Sequence, residues 1–237
     1  MKRCLPALLC AALSAAVSPA CLAQDADAPK PAAPQPDAVT NSWSFDFQHS
    51  TPDTIAIENA DGSVDWYWYM TYKVTNYEQD ELFFDPRIVI QNDAGEIITA
   101  NLGVDPRVFR AVLELTQNPL LVPPVEVPGR VFKGEDYARE SVAIWPVDKD
   151  DVDQFKVFVG GIFGEVKLVT DPSTGKPITV PVIDALTGEP KTNPDGSPMT
   201  QPLLLKRTKM LHYKTPGTTE SKQNPAIKLE DEKDVMR

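Results

Sequence analysis

Apolar and polar residues alternate with a period of two over most of residues 43–163. Trp43, Phe45 and Phe47 open the pattern, residues 54–58 repeat it, and Asn59-Ala60-Asp61-Gly62 interrupts it with residue types that turn a chain. A long strand over 63–76 follows, then strands over 83–91 and 96–100 separated by the turn Asn92-Asp93-Ala94-Gly95. Past residue 125 the chain reads as strand, turn at 133–136 and strand over 137–145, with a further strand over 154–163. One segment breaks the period. Asp105 can cap a helix, Pro106 suits its first position, and Phe109, Val112, Leu113 and Thr116 recur at helical spacing before Pro119. This predicts a single helix over about 105–118.

The stretch DWYWYMTYKVTN, residues 65–76, holds four consecutive aromatics. Strand geometry divides it into two faces: Trp66, Trp68, Met70, Tyr72 and Val74 on one, and Asp65, Tyr67, Tyr69, Thr71, Lys73 and Thr75 on the other. The first face is apolar throughout and predicts the core. The second leaves Tyr67 and Tyr69, with Trp43, as candidate ligand contacts if they are open to solvent.

Residues 166–213 carry three related turns: Asp171-Pro172-Ser173-Thr174-Gly175-Lys176-Pro177, Asp184-Ala185-Leu186-Thr187-Gly188-Glu189-Pro190 and Asn193-Pro194-Asp195-Gly196-Ser197-Pro198. They predict an extended β-ribbon or pair of hairpins that leaves the main body and returns along 203–213. Prolines 177, 181, 190, 194, 198 and 202 each remove a backbone donor, so its pairing should be irregular and confined to edges.

The chain ends impose a different organisation. Lys2 and Arg3 precede an apolar run and small residues, the pattern of a signal peptide over 1–23. Residues 24–41 are Ala/Pro-rich and read as a disordered linker, and the charged residues 215–237 as a disordered tail. The body is then 42–214. All three cysteines, Cys4, Cys10 and Cys21, fall in the leader, so the body has no disulfide framework or thiol nucleophile to expect. Cleavage before Cys21 instead of after Ala23 would expose it for lipidation. No stretch reaches the roughly 20 apolar residues of a transmembrane helix. The expected location is therefore exported, periplasmic or extracellular, soluble or lipid-anchored at Cys21.

Charge narrows the partners. The chain carries 23 basic against 34 acidic residues, a net −11, and without Lys2 and Arg3 the balance is −13. Nucleic acid and anionic lipid both favour basic patches, so neither is an expected partner. The acidic run 148–153 offers oxygen ligands for calcium, but Asp153 and Val159 stand where an EF-hand loop needs Gly and Glu. Only two histidines, His49 and His212, occur, one near each end of the body, and neither a G-x-S-x-G elbow nor an H-E-x-x-H helix accompanies them; nothing in the sequence selects a catalytic pair from its 34 acidic residues. Gly160-Gly161 lacks the rest of a phosphate loop and reads as a bend between strands. The expectation is a protein without catalytic residues, cofactor or metal.

Short strands, antiparallel connections and a cysteine-free core predict an all-β, antiparallel β-sandwich with one inserted helix. Three motifs add a resemblance: Tyr72-Lys73-Val74-Thr75-Asn76 closing an aromatic strand, Phe84-Asp85-Pro86 running to Gly95, and Gly129 through Gly134-Glu135 leading to Trp145. In this order, over about residues 43–165, the chain resembles uncharacterised secreted bacterial Ig-like (telokin-like) β-sandwich domains. The resemblance implies an Ig-like fold and export, and brings no catalytic residues. The functional expectation is a non-catalytic, exported module that binds or scaffolds an envelope protein; the alternative is a carbohydrate-binding module using Tyr67 and Tyr69.

Overall fold

The computed structural model describes residues 43–146, 153–184, 187–215 and 227–237. The signal peptide, the linker, Cys21 and most of the acidic run 148–153 therefore lie outside the described residues. Among the described residues the fold is mostly β with one α-helix, and the named strands all pair antiparallel.

The first sheet is built on β3 (Val64–Thr75), whose 12 residues accommodate two shorter strands end to end along one edge. β1 (Asp46–His49) pairs with its last residues and β2 (Asp53–Glu58) with its first. The register slips by one residue between them, where Pro52 has no N–H to donate. Ser50 bridges the slip: its N–H donates to Thr71 O and its hydroxyl accepts from Thr71 N. β8 (Arg139–Pro146) takes the opposite edge of β3.

The second sheet runs in the order β14–β13–β9–β5–β6. These are Lys228–Met236, Leu204–Lys214, Gln154–Gly160, Arg87–Asn92 and Ile97–Thr99. β10 (Val166–Leu168) pairs with the start of β13, β4 (Leu82–Phe84) with β7 (Gly129–Val131), and β11 (Thr179–Pro181) with β12 (Thr200–Pro202).

One hydrophobic cluster joins the two sheets. Trp68, Met70, Tyr72 and Val74 of β3 and Ala143 and Trp145 of β8 meet Ile88, Ile90, Phe155, Val157, Val159, Leu211 and Tyr213. The ring centroids of Trp68 and Phe155 are 4.4 Å apart, and Phe155 stacks on Tyr213 at 5.2 Å. This is the apolar face of residues 66–74 expected from alternation, except that Trp66 stays half-buried at the margin. At about 1.5–3 kcal/mol for each fully buried large apolar side chain, β3 alone contributes several kcal/mol.

The helix α1 (Pro106–Thr116) starts as its sequence requires: Asp105 accepts from Arg107 N and Pro106 stands in the first turn. Its buried stripe is Val108 and Val112, with Phe109 only partly buried, so the helix is turned slightly from the expected Phe109–Val112–Leu113 line. The connection entering it holds Asn101 at φ 64°, from where its backbone N–H donates to Ile144 O while its side chain accepts from Ile144 N. Asn101 thereby completes the open edge of β8 in place of a strand.

The expected disordered tail requires correction in its last part. Residues 228–236 form β14 at the edge of the second sheet. Its charges mask the strand pattern in sequence, yet they suit this position. Glu230, Glu232 and Asp234 pair with Lys214, Lys209 and Arg207 of β13.

Gly161 sits where β9 leaves the sheet, at φ +87°, and a Cβ there would lie 2.2 Å from Asp85 O. Gly62 shares the left-handed conformation, at φ +81°, but has open space around it. Gly161→Ala should cost about 2–4 kcal/mol and Gly62→Ala about 1–2, since only the first adds a backbone clash to the strain. Urea unfolding of the two variants checks the order, and equal costs would refute the close approach.

Candidate interaction surface

The sequence singles out Tyr67 and Tyr69, and the structure places both beneath α1. Tyr69 is 7% exposed and packs with Val108, Val112, Val142 and Ile144; Tyr67 is partly buried beside them. Burial raises the phenol pKa of each, with Asp65 adding to Tyr67 and Asp53 to Tyr69. The helix closes over the Tyr69 ring, while Tyr67 keeps part of its surface. Trp43 is partly buried against the core, edge-on to Phe45 at 5.5 Å, with its indole against Gly164.

Of the acidic run, only Asp153 is described; its N–H donates to Asp93 Oδ2. Among the described residues no group of three or more His, Cys, Asp or Glu side chains is arranged to hold a metal ion. The two histidines are far apart in role. His212 Nε2 lies 3.3 Å from Gln154 Oε1. His49 bridges the sheets, with Nδ1 3.0 Å from Ser50 O and 3.3 Å from the Tyr213 hydroxyl, and Nε2 3.9 Å from Glu232 Oε2. Open clefts exist, one of about 480 Å³ between Ile88, Ala100 and Val125, and one of about 290 Å³ bordered by Asp93, Lys156 and His212.

The largest feature outside the core is the arm over residues 166–206. It is more ordered than a pair of hairpins, because its backbone closes two rings of three hydrogen bonds. In the first, Val169 N donates to Leu203 O, Leu203 N to Ile178 O and Ile178 N to Val169 O, at 2.8–3.0 Å. In the second, Val182 N donates to Met199 O, Met199 N to Lys191 O and Lys191 N to Val182 O, at 2.8–2.9 Å. Each ring is a three-way junction between antiparallel pairs. From the first radiate the β10–β13 stem, the 171–176 turn and the β11–β12 stem; from the second, the far end of β11–β12 and the turns at 184–189 and 193–197.

The three repeated turn sequences are the ends of these branches. Gly175, Gly188 and Gly196 adopt φ of +67°, +73° and +83°. Each turn begins with Asp or Asn, whose N–H donates across the turn: Asp171 to Lys176 O, Asp184 to Glu189 O and Asn193 to Ser197 O. Carboxylates lock the loops from within, Asp171 accepting from Ser173 and Thr174 and Asp195 from Ser197, which also lowers the pKa of both acids. No described residue from 164 to 207 is buried, and Ile178, Ile183, Met199 and Leu204 are 37–51% exposed.

A second exposed surface escapes the sequence reading. In the β4–β7 pair, Leu82, Phe84 and Val131 face the core, which turns Phe83 outward opposite Arg130. Phe83 is 62% exposed, and Tyr77, Phe132 and Tyr137 are each more than half exposed. Phe132 and Tyr137 meet edge to face at 5.5 Å, and the Tyr77 hydroxyl donates to Glu135 Oε1. The available signal was the adjacent pair Phe83-Phe84, which cannot both face inward on one strand.

In comparisons with known proteins the chain matches no family model, no curated protein and no solved structure. Among the described residues no helix is long and apolar enough to cross a membrane.

Two outcomes follow from the burial of the tyrosines. Tyr69→Ala should destabilise the fold by about 3 kcal/mol and Tyr67→Ala by about 1, measured by chemical denaturation, because the first empties the space beneath α1. The second outcome concerns pH. Burial pushes the Tyr72 phenol up to about 12, the Ser141 hydrogen bond offsetting part of the effect. Burial also raises Tyr213, with the Glu232 charge adding. A phenol with a higher pKa in the folded chain favours folding while protonated; its contribution is complete below the unfolded value of about 10 and is lost as pH rises through the folded value. Stability should therefore fall between pH 10 and 12, and less steeply in Tyr72→Phe, as read from thermal midpoints.

Proposed function

We propose that this chain is an exported, non-catalytic protein-binding or scaffolding module of the bacterial envelope, built on an Ig-like β-sandwich that presents the 166–206 arm to a partner protein. The arm carries the reading. Ordering a residue costs about 1–2 kcal/mol in backbone entropy, which a domain ordinarily offsets by burial. Here the described residues bury nothing fully, and two hydrogen-bond rings and three glycine turns hold the conformation instead. A preformed, exposed element with apolar side chains at its junctions can dock without a further ordering cost. The half-exposed Tyr77, Phe83, Phe132 and Tyr137, with Arg130 among them, have the composition enriched at protein interfaces and add to the same reading.

The leader pattern with Lys2, Arg3 and the following apolar run supports export, and Cys21 would supply a lipid anchor if cleavage falls before it. The alternative of a sugar platform at Tyr67 and Tyr69 has less support because Tyr69 is buried under α1, which leaves Tyr67 without the second ring of a row.

Replacing residues 170–202 by a short Gly-Asn turn, and comparing affinity-purified native envelope fractions with those of the intact protein, tests the arm. The intact chain should retain a specific protein that the shortened chain loses, while cooperative unfolding of the body persists. Equal recovery by a folded, shortened chain would refute the arm as the docking element.

A further inference from the structure

We infer that the outer edge of β13 is a strand-addition site selective for acidic extended segments, and that the chain's own β14 occupies it as a tethered, displaceable ligand. The inference is independent of the arm.

The first ground is how little β14 belongs to the core. Seven of its nine residues are exposed, and only Val235 and Met236 are partly buried. Ile227, just before it, is its one apolar contact with the central cluster. The strand is held by the backbone ladder, ending in mutual hydrogen bonds between Lys206 and Arg237 at 2.7 and 3.0 Å, and by side-chain charge.

The second ground is charge complementarity. β13 carries Lys206, Arg207, Lys209 and Lys214 and no acid, within a chain of net charge −11. β14 answers at alternate positions. Asp234 lies 2.5 Å from Arg207, Glu232 lies 2.5 Å from Lys209, and Glu230 lies 3.2 Å from Lys214. Glu165 pairs with Arg207 at 3.3 Å, Lys209 also stands 3.9 Å from Asp234, and His49 Nε2 stands 3.9 Å from Glu232, so all but the Glu230–Lys214 pair join into a network that reaches His49 of the first sheet. Carboxylates at every second residue of an extended segment are thus the recognition pattern. Main-chain pairing supplies affinity and the basic row supplies selection.

The third ground is connectivity. Local hairpins of this chain close through turns of five or six residues, at 59–63, 92–96, 171–176, 184–189 and 193–197. β13 and β14 are separated by the 13 residues 215–227. A ligand carried on the same chain competes at an effective concentration of about the millimolar range, which an incoming acidic strand must exceed unless the resident strand is first weakened. The arrangement is an autoinhibitory contact whose partner is an acidic edge or terminal strand of another protein.

Fluorescence anisotropy with a labelled peptide of residues 227–237, titrated with the full-length protein, tests this. The full-length Glu232→Gln/Asp234→Asn variant, which weakens only the resident strand, should take up the peptide at least tenfold more tightly than the wild type. A peptide with Glu230, Glu232 and Asp234 replaced by Lys should not bind, and 0.5 M salt should weaken the uptake. A folded variant that takes up no peptide, or takes up both peptides equally, would overturn the inference. So would a variant that loses cooperative unfolding, since β14 would then be an integral part of the fold.

Discussion

The contact of Trp68 with Phe155 across the two sheets is the interaction on which the remaining architecture depends. It fixes which face of β3 is inside, and a strand has no intermediate choice: moving its register by one residue would exchange Trp68, Met70, Tyr72 and Val74 for Tyr67, Tyr69, Thr71 and Lys73. Once that face is committed, the opposite one needs its own cover, and α1 supplies it through Val108 and Val112. Of the four consecutive aromatics, Trp68 therefore belongs to one hydrophobic layer and Tyr67 and Tyr69 to another, while Trp66 stays half-buried outside both.

Beyond these layers the molecule keeps its order by a different means. The arm depends on backbone hydrogen bonds closed into rings and on glycines in left-handed turns, and β14 depends on a ladder reinforced by opposite charges. Surface ion pairs contribute little singly, about 0–1 kcal/mol, so β14 is held more weakly than the core strands it borders. The arm and β14 thus both stand outside the core that the Trp68–Phe155 contact closes.

The inward face of β3, the helix and the Asn/Asp–Gly turns are readable in the sequence because each follows from local rules. Asn59 to Ser63, Asn92 to Glu96 and Asn193 to Ser197 share one spacing from Asn to Gly, and all three close hairpins. The branching of the arm was not readable, since Val169, Ile178 and Leu203 meet only through pairing between segments far apart in sequence. β14 was hidden because its apolar positions are few and its stabilising partners lie on β13. Alternation puts Tyr69 on the face opposite Trp68, but its cover depends on how α1 folds back. Phe83 escapes the pattern because residues 83–91 read as one strand, whereas β4 ends at Phe84 and pairs with β7 instead.

The central claim is that the arm is preformed. Backbone ¹⁵N relaxation of the full chain, resolved at the ring amides of Val169, Ile178, Val182, Lys191, Met199 and Leu203, measures this directly. The account predicts order parameters of about 0.85, equal to those of β3, whereas values below about 0.6 at these six amides would contradict it.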